Sequence, residues 1–362
     1  MKLKGHGAVM QKFHIDVIKG KGSYYQLGQR AGALFQQTPL YQTHLKRRES
    51  SKKAYQLDRI KAESYIKAFA PGLWDELYGL SSELKWPFED VVHEYSGWQQ
   101  DWKKSGCSVL MKNGFFVRNY DYHPKTYEGR LMIWQPDNGY ASIGVAGRMI
   151  GRIDGMNEKG LCVGFHFVNR KNPGEGFTCS VIARFLLDSC ATTQEAVSML
   201  KEIPHRHAFN YTVFDAQGNH AIVEASPLGV AIRPQITDIA CTNHFQTAEK
   251  VNENRYQLKE SKARLQNIYD QSAFTDTAIE AFYRFNDPTY GIFKKNYGSW
   301  SGTIHTVVYD PIHLNVIFGA GENAVPLTIN FKDWLAGERY PVTKIFGEVD
   351  TGEQFSHVNR SS

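Results

Sequence analysis

The stretch Lys103–Pro124, "KKSGCSVLMKNGFFVRNYDYHP", decides how this chain is read. Asn113-Gly114 stands between two apolar runs, the strongest short-range signal for a β-hairpin, because both residues accept the positive φ of a type I′ turn. A small pair, Gly106-Cys107, precedes the first strand, and the cluster Arg118-Asn119-Tyr120-Asp121 closes the second. A cysteine that merely fills a core needs no such company.

Upstream of Cys107 the chain reads as mainly helical. "SYYQLGQRAGALFQQ" (23–37) places Tyr25, Leu27, Ala31 and Phe35 near one face, and "SSKKAYQLDRIKAESYIKAFAPG" (50–72) carries Leu57, Ile60, Tyr65, Ile66 and Phe69 at helical spacing before Pro71-Gly72 stops it. "LWDELYGLSSEL" (73–84) and "PFEDVVHEYSGWQQDW" (87–102) follow, the second opening on proline and acidic residues. The basic residues in 45–63 alternate with Glu and Asp and read as a solvated helix face.

Downstream, hairpins recur in "YTVFDAQGNHAIVEA" (211–225) and in "GTIHTVVYDPIHLNVIFGAG" (302–321), which turns at Asp310-Pro311. Helical segments lie between them, at 177–190, 192–203 and 247–269. Strand groups alternating with helices predict sheets covered by helices, an α+β chain. The tail, 347–362, is polar and is expected to be loosely held.

The composition is that of an ordinary globular protein, 42% apolar and 22% charged over 362 residues, and a net charge of +5 makes no case for nucleic acid as the main partner. The N-terminal residues lack the apolar core of a signal peptide, and no stretch is long and apolar enough for a bilayer. Five cysteines without a CxxC pair argue against a disulfide framework and a zinc site, so the expectation is a cytoplasmic protein with reduced thiols. Cys162, Cys179, Cys190 and Cys241 sit in apolar runs and read as core. Sequons at Asn210 and Asn359 carry no meaning without secretion. "HRH" (205–207) lacks further ligands nearby and is not read as a metal site.

A thiol attacks as thiolate and needs a base or a cation to become one. Thirteen histidines make a Cys/His pair arithmetically available, but Cys107 is outside the papain-like context. The other base costs no second residue. A cut between Gly106 and Cys107 would free the α-amine of Cys107, whose ordinary pKa of about 7.7–8.0 suits a general base. Glycine before the cut leaves its carbonyl open to attack.

Gly106-Cys107, "VRNYDY" (117–122), "GMNEKGLCVGFHF" (155–167) and "CTNHF" (241–245), with "GSYYQLGQRAG" (22–32) ahead of them, occur in an order that resembles the acyl-coenzyme A:6-aminopenicillanic acid acyltransferase family, relatives of the choloylglycine hydrolases. The resemblance implies a four-layer αββα N-terminal-nucleophile fold. It implies a precursor that cleaves itself into a helical segment, 1–106, and a catalytic core, 107–362, which stay one folded unit. It further implies cutting or transfer of acyl groups at linear amides, without cofactor or metal. The partner is then a small acyl-amide, with acyl-coenzyme A as an alternative donor, no membrane or nucleic acid, and self-association left open.

The resemblance assigns Arg118 and Asp121 to holding the thiol and amine of Cys107. On a straight strand, residues three apart face opposite ways, so the two are expected to need a strand end or bulge near Tyr120. Asn243 is the candidate oxyanion donor, since a side-chain amide can give a hydrogen bond to developing negative charge. His166 stands where relatives often carry asparagine, and a neutral imidazole can still donate one hydrogen bond. His244 is a candidate for the site wall. Asn157 reads as a turn residue with Gly160. Two other readings stay open: a papain-like protease with an intact chain, and a non-catalytic binding relative.

Overall fold

The computed structural model describes residues 9–51, 57–234, 239–256, 258–299 and 301–358. Its first element corrects the helical expectation for the N-terminus. β1 (Met10–Gly22) is a 13-residue strand in which Phe13, Ile15 and Val17 alternate onto a buried face, the period of a half-buried strand. Five helices follow: α1 (Tyr24–Gln36), α2 (Leu40–Ser51), α3 (Arg59–Phe69), α4 (Gly72–Leu84) and α5 (Phe88–Tyr95). α1 buries Tyr24 rather than Tyr25, together with Leu27, Gly28, Ala31, Gly32 and Phe35. The shift follows from Gly28, where a Cβ would stand 2.0 Å from the Glu76 carbonyl oxygen, so α4 lies directly on the α1 backbone. In α3, Ala62 and Ile66 face the core, while Ile60 is 83% exposed.

The hairpin comes next. β2 (Gly106–Lys112) and β3 (Phe115–Tyr122) pair across Asn113 and Gly114, with φ of 48° and 81°. β4 (Arg130–Pro136), β5 (Ser142–Gly147), β6 (Gly151–Asn157) and β7 (Cys162–Asn169) continue the strand region. At the β6–β7 turn the Asn157 side chain caps the Lys159 and Leu161 amides, as expected for a turn asparagine. Helices α6 (Cys179–Ser189) and α7 (Thr193–Glu202) lead to β8 (Ala208–Phe214), β9 (His220–Ser226), β10 (Gly229–Ile232) and β11 (Ala240–Cys241). The helix expected over 247–269 begins only at Leu258: α8 spans Leu258–Ser272 and is followed by α9 (Ala278–Asn286). β12 (Lys295–Asn296), β13 (Ser301–Asp310), β14 (Asn315–Ala320), β15 (Leu327–Asn330), α10 (Phe331–Leu335) and β16 (Lys344–Asp350) complete the chain.

Two sheets result. The larger has the order β10-β9-β8-β7-β6-β5-β4-β1-β16, and the smaller has β11-β2-β3-β13-β14-β15 with β12 beside β13. They stack face to face. On the smaller sheet, Cys107, Val109, Met111, Phe116 and Tyr120 point into the core between the sheets, and Leu110, Phe115 and Val117 pack outward with Ile268, Phe282 and Phe285 of α8 and α9. α6 and α7 cover the outer face of the larger sheet. The layers are helix, sheet, sheet, helix: the αββα arrangement of an N-terminal-nucleophile fold, α+β in class.

The segment ahead of Cys107 is not a separate helical body. β1 lies between β16 and β4, antiparallel to the first and parallel to the second, so residues before and after Cys107 share one sheet. The tail is likewise held. β16 pairs along β1, and Phe355 stacks on Phe13 at 4.0 Å between centroids. Its polar composition hid the apolar residues that dock it. Asn210 is buried, and Asn359 lies outside the described residues. Among the described residues no helix is long and apolar enough to cross a membrane.

Candidate active site

Cys107 is the second residue of β2, opposite Tyr120 of β3, and is fully buried. Its Sγ lies 3.0 Å from Arg118 Nη2, which also donates to the Phe165 carbonyl at 2.6 Å. Arg118 is itself buried, and Nη1 reaches Asp154 Oδ2 of β6 at 3.1 Å across the gap between the sheets. Asp154 accepts further from Tyr309 Oη at 2.7 Å and lies 3.2 Å from His305 Nε2. Burial alone would raise the Asp154 carboxyl; His305, Arg118 and Tyr309 outweigh it and hold it below the usual range. For the Cys107 thiol the balance goes the other way. Burial pushes it up to about 11 despite Arg118, so it is a neutral thiol at ordinary pH.

The backbone amide of the same residue is held from another direction. Cys107 N–H donates to Asn243 Oδ1 at 2.9 Å. Arg264 of α8 donates to that same oxygen through Nη2 and to Asp121 Oδ2 through Nη1 at 2.6 Å. Two donors therefore face Oδ1, which sets the amide's orientation; Nδ2 points the other way and donates to the Phe167 carbonyl at 2.9 Å. Asp121 also accepts from Thr303 Oγ1 at 2.7 Å.

Arg118 and Asp121 do approach Cys107, but not through a strand end at Tyr120. β3 runs on to Tyr122, and the irregularity is on its neighbour, where the β3–β13 register shifts between Thr303 and His305. The two side chains leave opposite faces of the sheet. Arg118 meets the thiol on the inner face, and Asp121 stands across from Gly106 on the outer one. This gives Gly106 a role beyond an open carbonyl: a Cβ there would sit 2.7 Å from Asp121 Oδ2 and 3.0 Å from its Cβ. Gly106→Ala, in a Cys107→Ala background, is expected to push Asp121 off Arg264 and to cost about 1–3 kcal/mol, the usual range for overpacking. Urea unfolding of the two proteins measures it, and equal midpoints would show that the contact yields freely.

His166 stands on β7 on the same face as Gly164, where a Cβ would touch Arg118 Nε at 2.9 Å. Burial first, then Arg118, keeps its imidazole neutral, well below the ordinary value. Nε2 lies 3.2 Å from Thr212 Oγ1, and a hydrogen bond with the Cys107 backbone opposes the downward shift without overcoming it. His244, expected as a candidate for the site wall, bonds within the loop and to α8. Its Nδ1 is 2.7 Å from Ser261 Oγ, and burial takes its pKa down to about 4, so it braces the loop that carries Asn243.

Four residues at the site were not read from the sequence as belonging to it. Arg264 and Ser261 look like members of a solvated helix, yet both are buried, and Ser261 Oγ accepts the Asn243 amide at 2.8 Å. Their i, i+3 spacing on one helix face was the available signal. Asp154 precedes the "GMNEKG" motif, and Asn210 donates from Nδ2 to the Thr242 and His244 carbonyls at 3.0 Å each, clamping the Asn243 loop. A cavity of about 340 Å³ reaches Tyr120, the strand partner of Cys107, and is walled by Trp102, Tyr122, Ile153 and Tyr127.

The family model described as "acyl-coenzyme A:6-aminopenicillanic acid acyl-transferase" matches residues 109–324, a span that holds Arg118, Asp121, His166, Asn243 and Arg264 and begins just after Cys107. No curated protein matches the chain. Among solved structures, a penicillin V acylase from Agrobacterium tumefaciens is similar at 18% identity and a TM-score of 0.40, over 70% of this chain and 94% of that one. A mutant conjugated bile acid hydrolase from Clostridium perfringens is similar at 13% and 0.44, over 72% and 100%. A Caenorhabditis elegans ortholog of N-acylethanolamine-hydrolyzing acid amidase is similar at 13% and 0.41, over 57% and 93%. Because the family model covers more than half of its 362 residues, the chain belongs to the acyl-coenzyme A:6-aminopenicillanic acid acyl-transferase family.

Proposed function

We propose that the chain cuts itself between Gly106 and Cys107 and then hydrolyses linear amides through an acyl-cysteine. One observation carries the reading: Cys107 Sγ is 3.0 Å from Arg118 while the N–H of the same residue is 2.9 Å from Asn243 Oδ1, directly after Gly106. In the cut, Sγ attacks the Gly106 carbonyl carbon, the Gly106–Cys107 C–N bond breaks, and the thiol proton passes to the departing nitrogen. Water then opens the thioester, leaving a Gly106 carboxylate, a free thiol and an α-amine on Cys107.

In turnover, that amine takes the thiol proton and returns it to the leaving amine of the substrate, as general base and then acid. Asn243 Oδ1 holds the amine, and Arg264 and Asp121 hold Asn243 in place. Arg118 favours the thiolate, because a cation beside a sulfur lowers the cost of its charge. One Nδ2 hydrogen of Asn243 is committed to Phe167; the second is the candidate donor to the tetrahedral oxyanion, and His166, which bonds to the Cys107 backbone, is the other candidate. Water is the acyl acceptor. Around the cavity, Arg47, Lys103, Lys125, Arg148 and Arg170 outnumber Asp101 and Glu128, a field that suits a carboxylate on the substrate, as in an N-acyl amino acid.

The test is release of free acid from a panel of N-acyl amino acids by the cut protein. Asn243→Ala is expected to lower kcat by about 10²–10³, the range for loss of one oxyanion donor. Absence of turnover across the panel, or an Asn243→Ala protein that cuts and turns over normally, would sink the reading.

A further inference from the structure

β13 carries one residue more than the stretch of β3 opposite it. Thr303 stands across from Asp121 and His305 across from Tyr120, so Ile304 is the extra residue of a β-bulge. Side chains alternate along a strand, and one inserted residue moves all that follow to the other face. Thr303 is on the outer face, where its Oγ1 donates to Asp121 at 2.7 Å. By strict alternation His305 and Tyr309 would join it there. The bulge turns both inward, and both meet one carboxylate of the other sheet. Tyr309 Oη donates to Asp154 Oδ1 at 2.7 Å, and His305 Nε2 is 3.2 Å from Oδ2.

Oδ2 is also the oxygen that Arg118 Nη1 reaches at 3.1 Å, while Nη2 of the same guanidinium lies 3.0 Å from Cys107 Sγ. The Asp154 carboxyl is held below the usual range, so it is ionised and can only accept. His305 Nε2 therefore carries the hydrogen. Nδ1 is 3.2 Å from Tyr127 Oη, a hydroxyl that burial keeps protonated. The His305 ring is fully buried, stacked on Tyr120 at 5.5 Å and on Phe318 at 5.2 Å. Hydrogen bonds thus run without a break from Tyr127, in the cavity wall, through His305, Asp154 and Arg118 to the sulfur. Tyr309 fixes one oxygen of Asp154; His305 fixes the other, the one that faces Arg118. Both are needed to stop the carboxylate turning about its Cβ–Cγ bond and taking the guanidinium with it.

We infer that His305 is a positioning residue, turned into the core by the Ile304 bulge, which holds Asp154 so that Arg118 stays directed at Cys107 Sγ. This rests on Cys107 being the nucleophile, as proposed above, but not on the cut. The test is the pH profile of Cys107 alkylation by iodoacetamide, read by peptide mass, in the native protein, His305→Phe and His305→Gln. Intact mass and urea midpoint are recorded for each. Phenylalanine keeps a ring beside Tyr120 and Phe318 but has no hydrogen to give; glutamine returns an N–H donor. Near the His305 ring stand Arg118 and Tyr120 of β3, Asp154 of β6, Tyr309 of β13 and Tyr127. The thiol lies within electrostatic reach of Arg118, Asp121 and Arg264, and of Tyr120, His166 and Cys179. All three proteins share these groups, so a difference between their profiles belongs to residue 305.

The His305→Phe profile is expected to move up by about one pH unit, about a tenfold loss of rate at neutral pH, because less of the thiol is ionised. His305→Gln should recover most of that loss, and Tyr127→Phe, which leaves Nδ1 without its hydroxyl, should move the profile the same way by less. A folded His305→Phe with the native profile overturns the inference, and so does a folded His305→Gln that matches His305→Phe. If His305→Phe does not fold, a native profile in Tyr127→Phe overturns it. A native Cys107 that stays unreactive while the protein is folded removes the nucleophile and the inference together. An uncut native chain whose profile still depends on His305 removes self-cleavage alone.

Discussion

Cys107→Ala is expected to purify as one chain, whereas the native protein separates under denaturing conditions into residues 1–106 and 107–362. The substitution removes the attacking sulfur and little else. Cys107 is a small buried residue, and its backbone N–H still has Asn243 to bond to, so the fold is expected to persist with a cost near that of deleting one buried group. Amide hydrolysis is expected to fall to background, since among the described residues Cys107 is the cysteine whose sulfur Arg118 reaches. Intact mass spectrometry decides the first point and product release the second. Fragments in both proteins would assign the cut to a contaminating protease. A single chain in both would remove the α-amine base and return Cys107 to a papain-like or purely structural role. Under native conditions the two pieces should stay together, because β1 of the first is paired on both edges with strands of the second.

The second large effect is on stability. Asp154→Ala takes away the carboxylate that faces Arg118, and Arg118 has no route to water from its fully buried position. Breaking a buried pair by removing one partner leaves an uncompensated charge and costs about 3–5 kcal/mol. Tyr309 and His305 lose their common acceptor as well. Urea unfolding in a Cys107→Ala background measures the loss, and an unchanged midpoint would mean that Arg118 finds another counter-charge. The pH dependence supplies a check. The folded Asp154 carboxyl is held below the usual range, so its stabilisation is complete above the ordinary carboxylate pKa and is lost as pH falls through the lower folded value. The Asp154→Ala protein should lack that part of the acid transition. The native chain should also cut faster than the variant, because Arg118 is no longer aimed at Sγ.

What could be read from the sequence shares a physical trait: it depends on neighbours along the chain. The Asn113-Gly114 turn, the hairpins at 211–225 and 302–321 and the helix start at Pro87 are local choices of backbone angle and chain entry. Where two signals competed, local reading failed. The Phe13-Ile15-Val17 alternation was outweighed by the charged residues around it, and the polar tail concealed Phe355. The Tyr24 and Tyr25 choice turned on how closely α4 approaches Gly28, which no property of α1 alone contains.

The same division runs through the site. By itself, the sequence determined the Gly106-Cys107 junction and the hairpin that carries it, and its resemblance to a known family supplied the candidacy of Arg118 and Asp121, in short motifs that lie on the elements bearing them, with Asn243 read as an amide donor. Only the tertiary structure decided that Arg264 joins Asp121 to Asn243, that Asp154 balances Arg118, that His244 bonds to Ser261, and that Trp102 lies against Tyr122 and Phe165. Each of those is a meeting between elements far apart in the chain. Burial then turned each meeting into a strong constraint, because a charge or polar group taken from water must find its partner wherever the sheets and helices bring one.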